Sequence, residues 1–314
     1  MVEHLRRSSP TAATETLTRS ERPSVQPAGH SPTTVIARFV ARRAVRSVIA
    51  WGYVFAAYVV GSISGFALTY KTQAAREQLA RSFSANVGLQ ALIGPARHID
   101  TVAGFASWRT SVTLTAIGAV WGLLASTRLL RGEEEAGRWE LLVCGQTTRR
   151  RAAAQAVAGL AVGWLVLLCV TAIAAVADGA TVHPALSPRA WVFYALSITC
   201  GAAMFLAVGA FTSQLARTRR RAATIAGACL GVAYLLRMVA DVSPALGWLR
   251  WASPLGWVEE IRPLVGTHLL PLVPIGVFTA GVAVAAVQLA GARDMGDSIL
   301  PESDTAPPRT RLLD

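Results

Sequence analysis

Six apolar runs, each about 20–25 residues long, constrain this chain more than any other feature. They cover about 47–69, 111–130, 153–177, 190–213, 222–242 and 269–292. Runs of that length cross roughly 30 Å of hydrocarbon with some tilt. Where lipid surrounds the backbone, an open-ended segment must satisfy its own hydrogen bonds, and only a helix does so. Composition agrees. Hydrophobic residues make up 53% of the 314 and charged residues only 15%, against roughly 25% in a soluble domain. The fold class expected is an all-α polytopic membrane protein with six transmembrane helices.

The formal net charge is +12, nearly all of it from arginine, since Lys71 is the only lysine. Such a balance can signal nucleic acid, but here the arginines flank apolar runs, so orientation in a lipid bilayer explains them and no nucleic-acid partner is expected. With the N-terminus inside, 21 basic residues fall on the inner side and 8 on the outer. Both termini are therefore expected in the cytoplasm. The organisation expected is a disordered cytoplasmic tail over 1–34 and a membrane domain over 35–292. A cytoplasmic tail, or linker to a second half, follows over 293–314. The tail lacks an apolar core and is not a signal peptide. Cys144, Cys169, Cys200 and Cys229 show no CxxC spacing and read as small hydrophobes, with no metal site.

Several glycine pairs at i, i+4 fall inside the runs: Gly61/Gly65, Gly118/Gly122, Gly159/Gly163 and Gly227/Gly231. Such pairs let helix backbones approach closely. The connection from Lys71 to Thr110 carries enough apolar residues for an amphipathic external helix. The connection over 243–268 holds Trp248, Trp251 and Trp257 among prolines and glycines. That pattern suits short helices in the interface layer, where an indole finds an apolar bed and a polar partner.

Catalytic equipment is missing from the sequence. Lys71-Thr72 has no glycine-rich loop before it, so no Walker-type ATP site is expected. There is no HExxH and no nucleophile elbow. We expect no enzymatic activity and no cofactor on this chain. The one charged pair inside a run is Arg237 and Asp241, at i and i+4 near the outer end of the fifth. Either the pair neutralises itself or Arg237 snorkels outward, or it forms a polar lining near an external gate.

Between the second and third runs lies Arg128–Arg151, RLLRGEEEAGRWELLVCGQTTRRR. Glu133, Glu134 and Glu135 are expected to open a cytoplasmic helix over about 133–143, where negative charge suits the dipole. Gly132 would cap it and Gly145 would end it. Glu134 stands four residues before Arg138, and Trp139, Leu142 and Val143 form an apolar stripe. The segment either lies on the membrane or docks in a groove of a protein partner. Three glutamates facing an anionic leaflet favour the partner.

At these residues the sequence resembles a family. Arg131–Leu142 is similar to the cytoplasmic motif of ABC-2 type permeases, above all bacterial exporters of polyketide or tetronasin-type antibiotics. Ser253–Pro263, SPLGWVEEIRP, is similar to an external motif of the same group. The resemblance covers roughly residues 38–313. It implies one six-helix, type V exporter-like permease half in the bacterial plasma membrane. Glu133, Glu134, Glu135, Arg138, Trp139 and Leu142 would couple to a separate ATP-binding subunit, which holds ATP and Mg. Trp248, Trp251, Trp257, Glu259 and Glu260 would belong to re-entrant external helices that close the exit. A second half is implied too, either another subunit or a continuation of the chain. The cargo expected is amphiphilic and antibiotic- or drug-like. A membrane scaffold or sensor that recruits a cytoplasmic partner without transporting anything is the alternative.

Overall fold

The computed structural model describes residues 32–137, 148–183 and 185–292, with side chains from residue 35 onward. These residues form helices and connections, with no strand among them. In chain order the helices are α1 (Pro32–Thr69), α2 (Gln73–Ser84), α3 (Val87–Ile93) and α4 (Val102–Thr127). A π-helical turn (Arg128–Gly132) and a last α-turn (Glu133–Glu135) extend α4. Then come α5 (Arg149–Gly179), α6 (Pro188–Leu215), α7 (Arg219–Val242), a 3-10 helix (Pro244–Ala252), α8 (Pro254–Ile261) and α9 (Leu272–Ala292). Six stretches are long and apolar enough to cross a membrane: α1, α4 with its extension, α5, α6, α7 and α9. Five of the runs expected from sequence lie wholly inside them, and the sixth, over 269–292, starts three residues before α9.

α1 and α4 outrun the expected spans furthest. α1 begins at Pro32 and has 38 residues, a rise of about 57 Å. Its first turns bury Ile36, Val40, Ala44 and Val48 at every fourth position and expose Arg38, Arg42 and Arg46. The arginines break the run of hydropathy but not the helix, because they share one face. α4 begins at Val102 rather than near Ser111, with Thr101 as N-cap accepting from the Gly104 N–H. Arg109 therefore lies within α4 and not in a loop, its guanidinium over the rings of Tyr58 and Phe105. The preceding connection folds as two short helices, each capped by a side chain. Thr72 accepts from Ala75 N–H and Asn86 from Leu89 N–H.

α4 and α6 are the most buried helices and form the centre, while α7 and α9 are the most exposed. The closest pairings are α4 with α6 and α1 with α5. Glycine makes both. A Cβ on Gly122 would stand 2.6 Å from Ala202 O and 2.8 Å from Leu206 N, and one on Gly159 would stand 2.7 Å from Ala37 O. Of the four glycine pairs, Gly118/Gly122 and Gly159/Gly163 meet neighbouring helices. Gly61/Gly65 and Gly227/Gly231 face open space. Hydroxyls inside the spans bond back to their own helix, as Thr110 to Ala106 O, Ser126 to Gly122 O and Ser213 to Gly209 O. Others tie helices together: Tyr194 Oη donates to Thr110 Oγ1, and Trp121 Nε1 to Ser47 Oγ, each at 2.8 Å.

Candidate functional site

Charged groups gather at the two ends of the bundle. At one end, α7, the 3-10 helix and α8 fold over α3. Ser253 caps α8 and is itself buried, its hydroxyl donating to Ala233 O of α7 at 2.6 Å. Gly256 allows the close turn, since a Cβ there would lie 2.3 Å from Arg250 O. The chain leaves α8 through Arg262 in the left-handed region, φ 49°, which turns that side chain back toward Glu260.

This packing encloses an ionic network. Arg237 is 1% exposed. Its Nη1 lies 3.3 Å from Asp241 and 3.5 Å from Glu259. Its Nη2 donates to the carbonyls of Ala91 and Leu92 in α3, at 2.6 and 2.7 Å. The Asp241 carboxylate is fully buried and accepts from Arg250 Nε at 2.8 Å. Arg250 reaches on to Glu260 at 3.3 Å, and Arg262 holds the other Glu260 oxygen at 2.6 Å. So the i, i+4 pair does form, but Arg237 turns inward to α3 and does not snorkel. A buried guanidinium needs its donors met inside the protein, and a helix C-terminus offers free carbonyls.

Glu259 is largely buried between Arg237 and Arg250, its side chain 9% exposed. Burial first, and then the neighbouring Asp241 charge, push its pKa up from 4.5 to about 8, against the pull of Arg237 and Arg250. Its contacts with both arginines are 3.5 Å, long for charge-assisted bonds, as suits a carboxyl that holds its proton at neutral pH. Beside it a cavity of about 50 Å³ is lined by Arg97, Glu259, Arg262 and Trp108, among others. There the Arg97 guanidinium has its pKa lowered by burial and then by the Arg262 charge.

The structure thus brings Arg237, Asp241, Glu259 and Glu260 together. Of the three tryptophans in this region, Trp248 and Trp251 are exposed. Trp257 packs its ring edge-on against Phe278, and its Nε1 donates to Trp251 O. Arg250 and Arg262 were missed from sequence as members of the network. The only signal was their closeness in sequence to Asp241 and Glu260.

At the opposite end, only residues 133–137 of the helix expected over 133–143 are described, and 133–135 of these belong to the extension of α4. Glu133–Glu135 end a helical run rather than start one. Gly132 is inside it, and Gly137 leaves it at φ 68°. Three glutamates at a helix C-terminus oppose the dipole, and partners elsewhere offset this. Glu133 is buried and ion-paired with Arg43 of α1. Glu134 pairs with Arg131 at 2.9 Å, while the Arg131 Nε donates to Arg217 O at 2.8 Å. Glu135 accepts from the Arg219 N–H at the start of α7. Arg138, Trp139 and Leu142, together with the tails over 1–31 and 293–314, lie outside the described residues.

Four apolar helices packed around α4 and α6, with ionic clusters toward the two ends, make an all-helical body with six helices able to cross a membrane, as in a multi-pass membrane protein. Over 240 residues the chain is 29% identical to the multidrug efflux system permease protein Rv1217c of Mycobacterium tuberculosis. That match takes in 76% of this chain and 42% of the relative, so the chain spans less than half of that protein's length. No protein-family model matches the sequence.

Proposed function

We propose that the chain is one membrane half of an ATP-driven exporter, with both termini in the cytoplasm of a bacterial cell. The similarity to an efflux permease across most of the chain carries this reading. Six spans and a network of charges at each end support it. ATP and Mg would be handled by a separate ATP-binding subunit, and a second half would complete the pathway.

The coupling point in this reading is the segment that leaves α4. Glu133 holds α1 through Arg43, Arg131 holds the α6–α7 connection, and Glu135 holds the first turn of α7. A push on residues 133–147 would thus reach α1 and α7 together, as a rigid-body displacement. The partner supplies the energy, and the permease supplies different affinities for cargo in its two states. At the other end, the network around Arg237 would hold the exit closed, with α8 as the moving part. The cargo is an amphiphile, since the middle of the spans offers few charges.

Co-purification tests the coupling claim. Trp139→Ala with Leu142→Ala should release the ATP-binding subunit while the melting temperature of the permease stays unchanged. Full retention of the subunit by that double variant would count against docking here.

A further inference from the structure

The end of the bundle that carries the α4 extension holds a cavity of about 540 Å³, lined by Arg43, Arg46, Arg128, Arg219, Trp51 and Trp121, among others. Four guanidiniums from three helices face one space. Glu133 takes Arg43, but neither Arg46 nor Arg128 has an acidic partner among the described residues. Clustered arginines repel one another, and an anion between them relieves that cost. Their planar forks match a carboxylate or a phosphate, and basic pockets between membrane helices hold anionic head groups in this way.

Trp51 also lines a second cavity, of about 570 Å³. This one is apolar, formed by Ile117 and Val120 of α4 and by Gly227, Leu230, Gly231, Tyr234 and Leu235 of α7. Ile117, Val120, Leu124 and Arg128 follow one another at spacings of three and four on a single face of α4. The two cavities adjoin at Trp51 and along this face of α4; taken together they make a cleft that is basic at one end and apolar beyond Trp51. From Gly227 to Leu235 the apolar part runs roughly 12 Å along α7. Gly227 and Gly231 leave its floor open, with no atom within 4 Å of where a Cβ would stand.

We propose that this cleft binds a single-chain anionic amphiphile, its head on Arg46, Arg128 and Arg219 and its apolar body along α7 past Trp51. As cargo, such a molecule would narrow the exporter reading to acidic amphiphiles, and only that role depends on the exporter reading. Binding itself needs no ATP-binding subunit.

The test uses the full chain in phosphatidylcholine vesicles at mildly alkaline pH, with dibromostearic acid and its methyl ester as tryptophan quenchers. The acid should quench saturably and the ester only in proportion to its amount in the bilayer. Arg46→Gln with Arg128→Gln should weaken binding of the acid about tenfold or more. Arg46→Lys with Arg128→Lys should stay within about threefold, which separates charge from misfolding. Equal quenching by acid and ester, or an unchanged affinity in the glutamine variant, overturns the proposal. So does saturable quenching by brominated phosphatidylglycerol that the acid fails to displace, because the occupant is then a membrane lipid. Binding of the acid with no export of it would count against its role as cargo and leave the binding site standing.

Discussion

Arg237 shows what a single buried charge requires of its surroundings. It spends Nη2 on the open carbonyls of α3 and turns Nη1 to Asp241 and Glu259, while its buried Nε has no hydrogen-bond partner among the described residues. Arg237→Ala would leave Asp241 with only Arg250 and free two carbonyls in a buried space. The expected loss is about 3–5 kcal/mol of stability, the cost of breaking a buried pair, measured by thermal unfolding in detergent. Glu259 gives a pH dependence of known sign. Its folded pKa of about 8 exceeds the ordinary 4.5, so the folded state binds the proton more tightly. Its contribution is complete below about 4.5, declines as pH rises, and is gone above about 8. The melting temperature should fall between these limits, and Glu259→Gln should flatten that fall. An equally steep fall in the variant would assign the dependence to other groups.

At the scale of elements, the glycines separate contact from coincidence. Gly122→Ala puts a methyl against the backbone of α6 and should cost about 1–3 kcal/mol through displaced packing. Gly61→Ala meets nothing within 4 Å and should be neutral or slightly stabilising, as alanine favours helix. Comparing the two melting temperatures checks the α4–α6 pairing. The helices themselves were legible in the sequence, because length and hydropathy suffice to mark a span. Their ends were less so. Arg38, Arg42 and Arg46 hide the start of α1 from a hydropathy reading, although their spacing on one face permits the helix. The three glutamates read as a helix start because acid favours an N-terminus. In the structure they end α4, held by arginines from α1 and from α4 itself and by the first turn of α7. Of the ionic network, Arg237–Asp241 could be read from its i, i+4 spacing. Its links to Arg250 and to the α3 carbonyls depend on a 3-10 turn and on a helix end 145 residues away, which no local pattern encodes.

For the whole molecule, the arrangement is a span-rich body with an ionic network at one end and, at the other, an α4 extension braced on α1 and α7; the proposed function makes the first a lock and the second a lever. The lever touches α1 and α7, and the proposed amphiphile cleft lies between those same helices and α4. A movement driven from the cytoplasm would alter the cleft and the lock through the same helix, α7. The most direct measurement of this account is transport into inside-out vesicles. The vesicles carry this chain, its second half and its ATP-binding subunit, with a fluorescent acidic amphiphile as cargo. Saturable uptake that requires both ATP and the ATP-binding subunit is the result expected. Uptake that persists without that subunit, driven by a proton gradient alone, would contradict it.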